Sequence, residues 1–239
     1  MTAGSGTSGR GEIRFGRLPA TVALQIREPG SAITHFAGLI LVMTGAGPLL
    51  MRAELFGNTT TVVSMLVFLL TSSALYAAST VYHTVVLEEK KTRIFKKLDH
   101  MMISVMIAGT YTPVCLCVLK EETGAILLAS IWTMAVGGII LKAFWVTCPK
   151  WISSFLYLAM GWLCIFALPS IWAHFSLNAF LWLLAGGILY SAGAVIYALR
   201  GNAFNRRHPY FGTHEIFHLF IMAGTFCHYM VMYRYVVFF

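Results

Sequence analysis

The amino-acid sequence predicts an all-α integral membrane protein, a seven-transmembrane helix bundle with its N-terminus cytosolic and its C-terminus extracytoplasmic. Three observations carry this reading. Hydrophobic residues make up 58% of the chain and charged residues only 11%, against the roughly 25% charged expected of a soluble domain. Seven apolar stretches are each long enough to cross about 30 Å of hydrocarbon as a helix of about 20 residues. Basic residues fall unevenly on the two sides that these stretches define, 14 of the 17 lying on one side.

The chain opens on MTAGSGTSGRGE, rich in Gly, Ser and Thr, so residues 1–27 are expected to form a mostly disordered cytosolic tail. Residues 28–239 are expected to form a single seven-helix transmembrane domain. Its spans fall at about 33–51, 60–83, 99–119, 124–146, 153–172, 178–199 and 213–236. The first lies too far from the N-terminus, and is followed by too many others, to be a cleaved signal peptide. The loops are too short for a soluble domain, and no internal repeat is visible.

Orientation comes from the basic residues. Arg10, Arg14, Arg17 and Arg27 precede the first span, and Lys90, Lys91, Arg93, Lys96 and Lys97 lie between the second and third. Lys142 and Lys150 flank the link between the fourth and fifth, and Arg200, Arg206 and Arg207 precede the seventh. Only Arg52, Lys120 and Arg234 lie on the other side. An excess of Lys and Arg marks cytosolic loops, which places the chain in the cell membrane as a multi-pass protein. The net charge of +8 then faces anionic headgroups, and no nucleic acid is implied. Cys115, Cys117, Cys148, Cys164 and Cys227 form no CxxC pair and read as small membrane-packing residues.

Absences exclude several function classes. Glu28, Asp99 and Glu215 lie at the cytosolic ends of spans and the other acids in the tail or loops, whereas proton pumps and cation channels carry such groups along their path. The seventh span has no lysine for a retinal Schiff base, and no span shows the sustained polar stripe of a pore.

Three distant pieces of sequence arrive at one membrane level on the cytosolic side. His83 closes the second span, Asp99 opens the third, and His214 and His218 occupy the first turns of the seventh. On a helix His214 and His218 share one face, about 6 Å apart along the axis. Ser79 stands one turn before His83. Three neutral imidazoles with room for a water suit a catalytic zinc, whereas a closed structural site takes four ligands. Histidines beside a headgroup boundary can also simply be hydrated, so spacing alone leaves the metal open. His228 lies about 15 Å deeper than His218, too far to share a metal. His100, His174 and His208 are expected to be exposed, and Pro113 to kink the third span.

The stretch HEIFH, residues 214–218, also matches the H-E-x-x-H pattern of zinc metalloproteases. Glu215 is about 100° around the helix from His214, which does not settle whether it faces a metal. A carboxylate in the first turn has an ordinary role at the positive end of the helix.

Five motifs in order, EPGSAITHFAG, STVYH, KLDH, GTYTP and HEIFHLFIMAG, span residues 28–224. On them the chain resembles the hemolysin III family, the compact bacterial branch of the progestin and adipoQ receptor superfamily that includes the adiponectin receptors. The resemblance implies Zn2+ held by His83, His214 and His218, with Ser79 and Asp99 beside the zinc-bound water as catalytic groups. It implies hydrolysis of a lipid, a ceramide-like amide, at the cytosolic leaflet, with membrane lipids as substrate or ligand. The alternative is a non-enzymatic seven-helix receptor or membrane-homeostasis regulator in which zinc braces the second and seventh helices. The family pattern is H-x-x-x-H with no glutamate required, which weighs against a protease. The chain departs from the family at Ser31, where asparagine is frequent. Glu28 and His35, which flank that position, are candidates for orienting a ligand from outside the coordination sphere.

Overall fold

A computed structural model describes residues 26–119, 121–199, 201–208 and 211–239, so most of the expected tail, residues 1–25, lies outside the described residues. Seven helices are long and apolar enough to cross a membrane: Pro29–Phe56, Thr59–Thr84, Glu89–Val118, Glu122–Phe144, Lys150–His174, Leu177–Leu199 and Thr213–Phe238. Among the described residues there is no β-strand. Each apolar stretch of the sequence became one of these spans.

The third span begins ten residues earlier than hydropathy suggests. Its first turns, EKKTRIFKKL, are helical despite their charge, because Lys, Arg and Glu are good helix formers and long cationic side chains sit comfortably at an interface. Asp99 therefore lies about 15 Å inside the helix by its 1.5 Å rise, and is buried.

Two spans are interrupted internally, each beside a proline, and the seventh closes on a 3₁₀ turn, Val236–Phe238. In the third, Pro113 is followed by a π-helical turn, Val114–Val118, while the Thr110 and Thr112 hydroxyls donate to the Met106 and Ala108 carbonyls. The expected kink is thus a change of helix type with hydroxyls beside it. The fifth is helical over Lys150–Gly161, 3₁₀ over Leu163–Ala167 and α-helical again over Leu168–His174. Pro169 lacks an N–H and cannot continue the ladder. In hydrocarbon a freed backbone group must find another partner. Tyr111, reaching across from the third span, supplies one: its hydroxyl accepts from the Cys164 N–H at 3.1 Å and lies 2.6 Å from the Gly161 carbonyl.

The spans close into a ring, first against second, second against third, third against fourth, fourth against fifth, fifth against sixth, sixth against seventh and seventh back to first. The second, third and seventh bury 50, 56 and 50% of their most apolar windows, against 22–28% for the rest. Those three form the centre, and two of them carry the predicted ligands. Phe144, Phe155, Phe166 and Leu199 project outward, as lipid-facing side chains should. Where the second and third spans meet, Gly109 lets them approach: a Cβ there would lie 2.7 Å from Thr71 Cβ.

Candidate metal centre

The site lies at the end of the bundle where the second span finishes and the first and seventh begin. His83 and His218 are almost fully buried. His83, His214 and His218 each offer a nitrogen, all within 4.8 Å of one another. Two nitrogens of a tetrahedral zinc site, each about 2.0–2.1 Å from the metal, stand about 3.3 Å apart. His83 Nε2 and His214 Nε2 are 3.3 Å apart.

A metal ligand must present a lone pair, and the partner of the other ring nitrogen decides whether it does. The Glu28 N–H donates to the His83 carbonyl at 2.9 Å, which fastens Glu28 to the end of the second span. Its Oε2 then lies 2.5 Å from His83 Nδ1. That hydrogen bond, helped by Arg27 at 3.4 Å, holds the Glu28 carboxyl below its ordinary range against the effect of partial burial. A carboxylate only accepts, so Nδ1 of His83 carries the proton and Nε2 carries the lone pair.

His218 is fixed the same way by a residue that sequence reasoning missed. Thr34 Oγ1 lies 3.0 Å from His218 Nδ1, and its single proton goes to the Gly30 or Ser31 carbonyl, 3.0 and 2.9 Å away. With its donor used, the hydroxyl accepts, and His218 donates through Nδ1. Its Nε2 is left with a lone pair. The signal was only partial: Thr34 lies inside the EPGSAITHFAG motif and next to His35, but six residues from Glu28 and so about 120° around the helix from it.

The two flanking candidates separate. Glu28 hydrogen-bonds the His83 ring directly. His35 instead stacks on His218, ring centroids 3.5 Å apart and planes at 12°, with Tyr76 edge-on at 5.2 Å, and neither of its nitrogens has a hydrogen-bond partner. It supports the His218 ring by packing.

Glu215 is turned to structural work. Its Oε2 accepts from the Gly212 N–H at 2.7 Å and its Oε1 from the Ser31 hydroxyl. Both oxygens are engaged at the helix start, and Glu215 is not one of the three grouped ligands. The departure from the family at Ser31 thus has a function here, as a donor that ties the first span to the seventh.

Ser79 is buried one turn before His83, and its Oγ has no hydrogen-bond partner. Asp99 lines the same cavity as His35, His214 and His218. His100, expected to be exposed, is half-buried and sets its Nδ1 3.2 Å from Asp99 Oδ2. His174 and His208 are exposed as expected. His228 stacks on Tyr190 of the sixth span at 5.3 Å, apart from the triad.

Two cavities meet at this site. One is apolar and runs from Asp99 and His218 to His228 deep in the bundle. The other is polar, with Glu28, His83, Lys142 and Ser153 among its walls. His214, His100 and Tyr197 line both. The triad therefore stands between a polar chamber and an apolar one.

The Haemolysin-III related family profile matches residues 24–229. The chain is 38% identical over 198 residues to Hemolysin-3 of Bacillus cereus, covering 83% of this chain and 86% of that protein. It is 36% identical over 199 residues to the Hemolysin-3 homolog of Bacillus subtilis (strain 168), covering 83% and 89%. A more distant relative is Progestin and adipoQ receptor-like protein 1 of Caenorhabditis elegans, 28% identical over 159 residues, with 57% of this chain and 35% of that protein aligned.

Proposed function

The chain belongs to the hemolysin III family of multi-pass membrane proteins, and from that premise we propose that it is a zinc-dependent hydrolase of a membrane lipid, a ceramide-like amide, acting at the cytosolic leaflet. The observation that carries this reading is the position of three clustered imidazoles, two of them buried and with their tautomers set for metal binding, between a polar and an apolar cavity. An amphipathic molecule whose tail fills the apolar chamber would present its head group at the triad.

His83, His214 and His218 hold the zinc. Bound there, it supplies a Lewis acid that polarises a carbonyl and acidifies a water. Three protein ligands leave a coordination position open, the arrangement of catalytic rather than structural zinc. Glu28 and Thr34 keep His83 and His218 in the ligating tautomer. The Ser79 hydroxyl, otherwise without a partner, holds the attacking water. Asp99 takes a proton from that water as its oxygen bonds to the amide carbon, and returns a proton to the leaving nitrogen as the C–N bond breaks. The products are a fatty acid and an amine.

The test is turnover. Purified protein containing about one zinc per chain should release fatty acid from a panel of membrane lipids, lose this activity when stripped of metal, and regain it on adding zinc. A protein that holds zinc, melts higher with it, and releases no fatty acid from any lipid amide supports the alternative, a zinc brace between the second and seventh spans of a receptor or membrane-homeostasis regulator.

A further inference from the structure

Lys142 belongs to no metal ligand and no proposed catalytic group, yet only 1% of it is exposed. Near the end of the fourth span, its Nζ donates to Ser153 Oγ at 2.5 Å and Cys148 Sγ at 3.1 Å. None of the ion pairs among the described residues includes it. Buried lysines are ordinarily paired with an acid, because an uncompensated buried charge is costly. A hydroxyl and a thiol supply dipoles but no countercharge. A lysine head also has three donors, and only two have partners among the described residues.

Lys142, Cys148 and Ser153 all line the polar cavity beside the triad. Lys96 and Lys150 line it too, Lys150 with its Nζ 4.3 Å above the Tyr197 ring. Among the described acids only Glu28 is on this wall, and its carboxylate is taken by His83 and Arg27. Among the described residues the chamber therefore holds an excess of positive charge inside low-dielectric walls, and its most buried cation, Lys142, has no acid paired with it there. Such walls concentrate the field and favour an anion.

We propose that this chamber is an anion site that binds a phosphate group, with Lys142 as its buried anchor, Ser153 holding the anchor in place, and Lys96 and Lys150 attracting the anion at the walls. A phosphate offers several acceptor oxygens, which match a lysine's remaining donor and the flanking cations. The site rests on the hydrolase reading only in that its occupant would be the head of the lipid that reaches the triad; binding itself requires no turnover.

The test uses the full chain and two probes, inorganic phosphate added to protein in detergent, and phosphatidic acid in phosphatidylcholine nanodiscs, with chloride at equal ionic strength as the control for screening. The melting temperature of the wild type should rise with at least one probe, since a ligand bound only to the folded state stabilises it. Lys142→Met should weaken that binding by at least about tenfold, leave zinc content unchanged, and melt no lower than wild type without the probe, because it removes a buried charge that has no counterion. Should Lys142→Met fail to fold, Lys142→Gln keeps a polar head for Ser153 and is read the same way. A response to phosphate alone identifies a soluble phosphate as the occupant, and a response to phosphatidic acid alone identifies a lipid head group. No response to either probe, or a Lys142→Met protein that binds within twofold of wild type, overturns the site. A protein that binds phosphate through Lys142 but hydrolyses nothing counts against the hydrolase and leaves the anion site standing.

Discussion

Thr34→Val tests whether the tautomer of His218 is set from the first span. Valine keeps the branched shape and removes the hydroxyl, which is the acceptor for His218 and a donor to the Gly30 or Ser31 carbonyl of its own helix. The His218 imidazole is 2% exposed, so its Nδ1–H, now 3.0 Å from Thr34 Oγ1, would lose that acceptor in a buried setting, at a cost of about 1–3 kcal/mol. The ring can escape by moving its proton to Nε2, but that consumes the lone pair the metal needs. The penalty therefore falls on metal binding, and about 1.4 kcal/mol per tenfold converts it to roughly 10–100-fold weaker zinc affinity, the range seen when outer partners of ligating histidines are removed. Thr34→Ser, which keeps the oxygen, should stay within about threefold of wild type. The assay is competition for zinc against chelators of graded affinity on purified protein, with melting temperature measured on metal-loaded and metal-stripped samples. In the stripped protein the difference between variants should shrink, because the linkage to zinc is gone. Wild-type affinity in Thr34→Val refutes the argument, and equal losses in Thr34→Ser and Thr34→Val would place the cause in packing rather than in the hydrogen bond.

Asp99→Asn should keep most of its zinc and stability while losing roughly 10²–10⁴ in turnover, the usual worth of a general base, whereas His83→Ala should lose both metal and melting temperature; metal analysis beside a fatty-acid release assay distinguishes them. Glu215→Gln should keep turnover within about tenfold, since its oxygens serve Gly212 and Ser31, and a loss as large as that of Asp99→Asn would restore the protease-type base. A tag at the C-terminus should be labelled from outside intact cells and one at the N-terminus should not; the reverse pattern would move the site to the outer leaflet. Gly109→Ala should lower the stability by about 1–3 kcal/mol through overpacking against Thr71 without changing zinc stoichiometry, as read by thermal unfolding and metal analysis.

The spans were legible because the bilayer imposes a length and a composition that hydropathy measures directly. Their irregularities were only partly so. Pro113 announced a disturbance in the third span, but nothing local distinguishes a π-helical turn from a kink. In the fifth span the break at Gly161 to Ala167 depends on Tyr111, fifty residues upstream in sequence, whose hydroxyl serves the interrupted backbone. The charged start of the third span was hidden because hydropathy marks where a helix enters hydrocarbon, not where it begins.

The triad was legible for a related reason. His83, His214 and His218 lie at span ends, so the alternation of direction alone brings them to one level, and the i, i+4 spacing puts two of them on one face. What supports them was less accessible, because spans that are apolar nearly all round give no strong face from which to predict neighbours. Glu28 could be nominated from its place beside the first span, yet the choice between Thr34 and His35 as the second supporting group turned on which of two adjacent residues faces His218 with an acceptor. Lys142 shows the limit most clearly. Counting charges by side treats it as one more basic residue at a membrane rim, and the asymmetry holds without it. Whether such a residue is solvated depends on how the link from Trp145 to Pro149 folds, and here that link and the start of the fifth span bring Cys148 and Ser153 against its head. The same residue thus contributes to orientation through its position in the sequence and to a candidate anion site through its burial, and only the second property depends on the packing of the bundle.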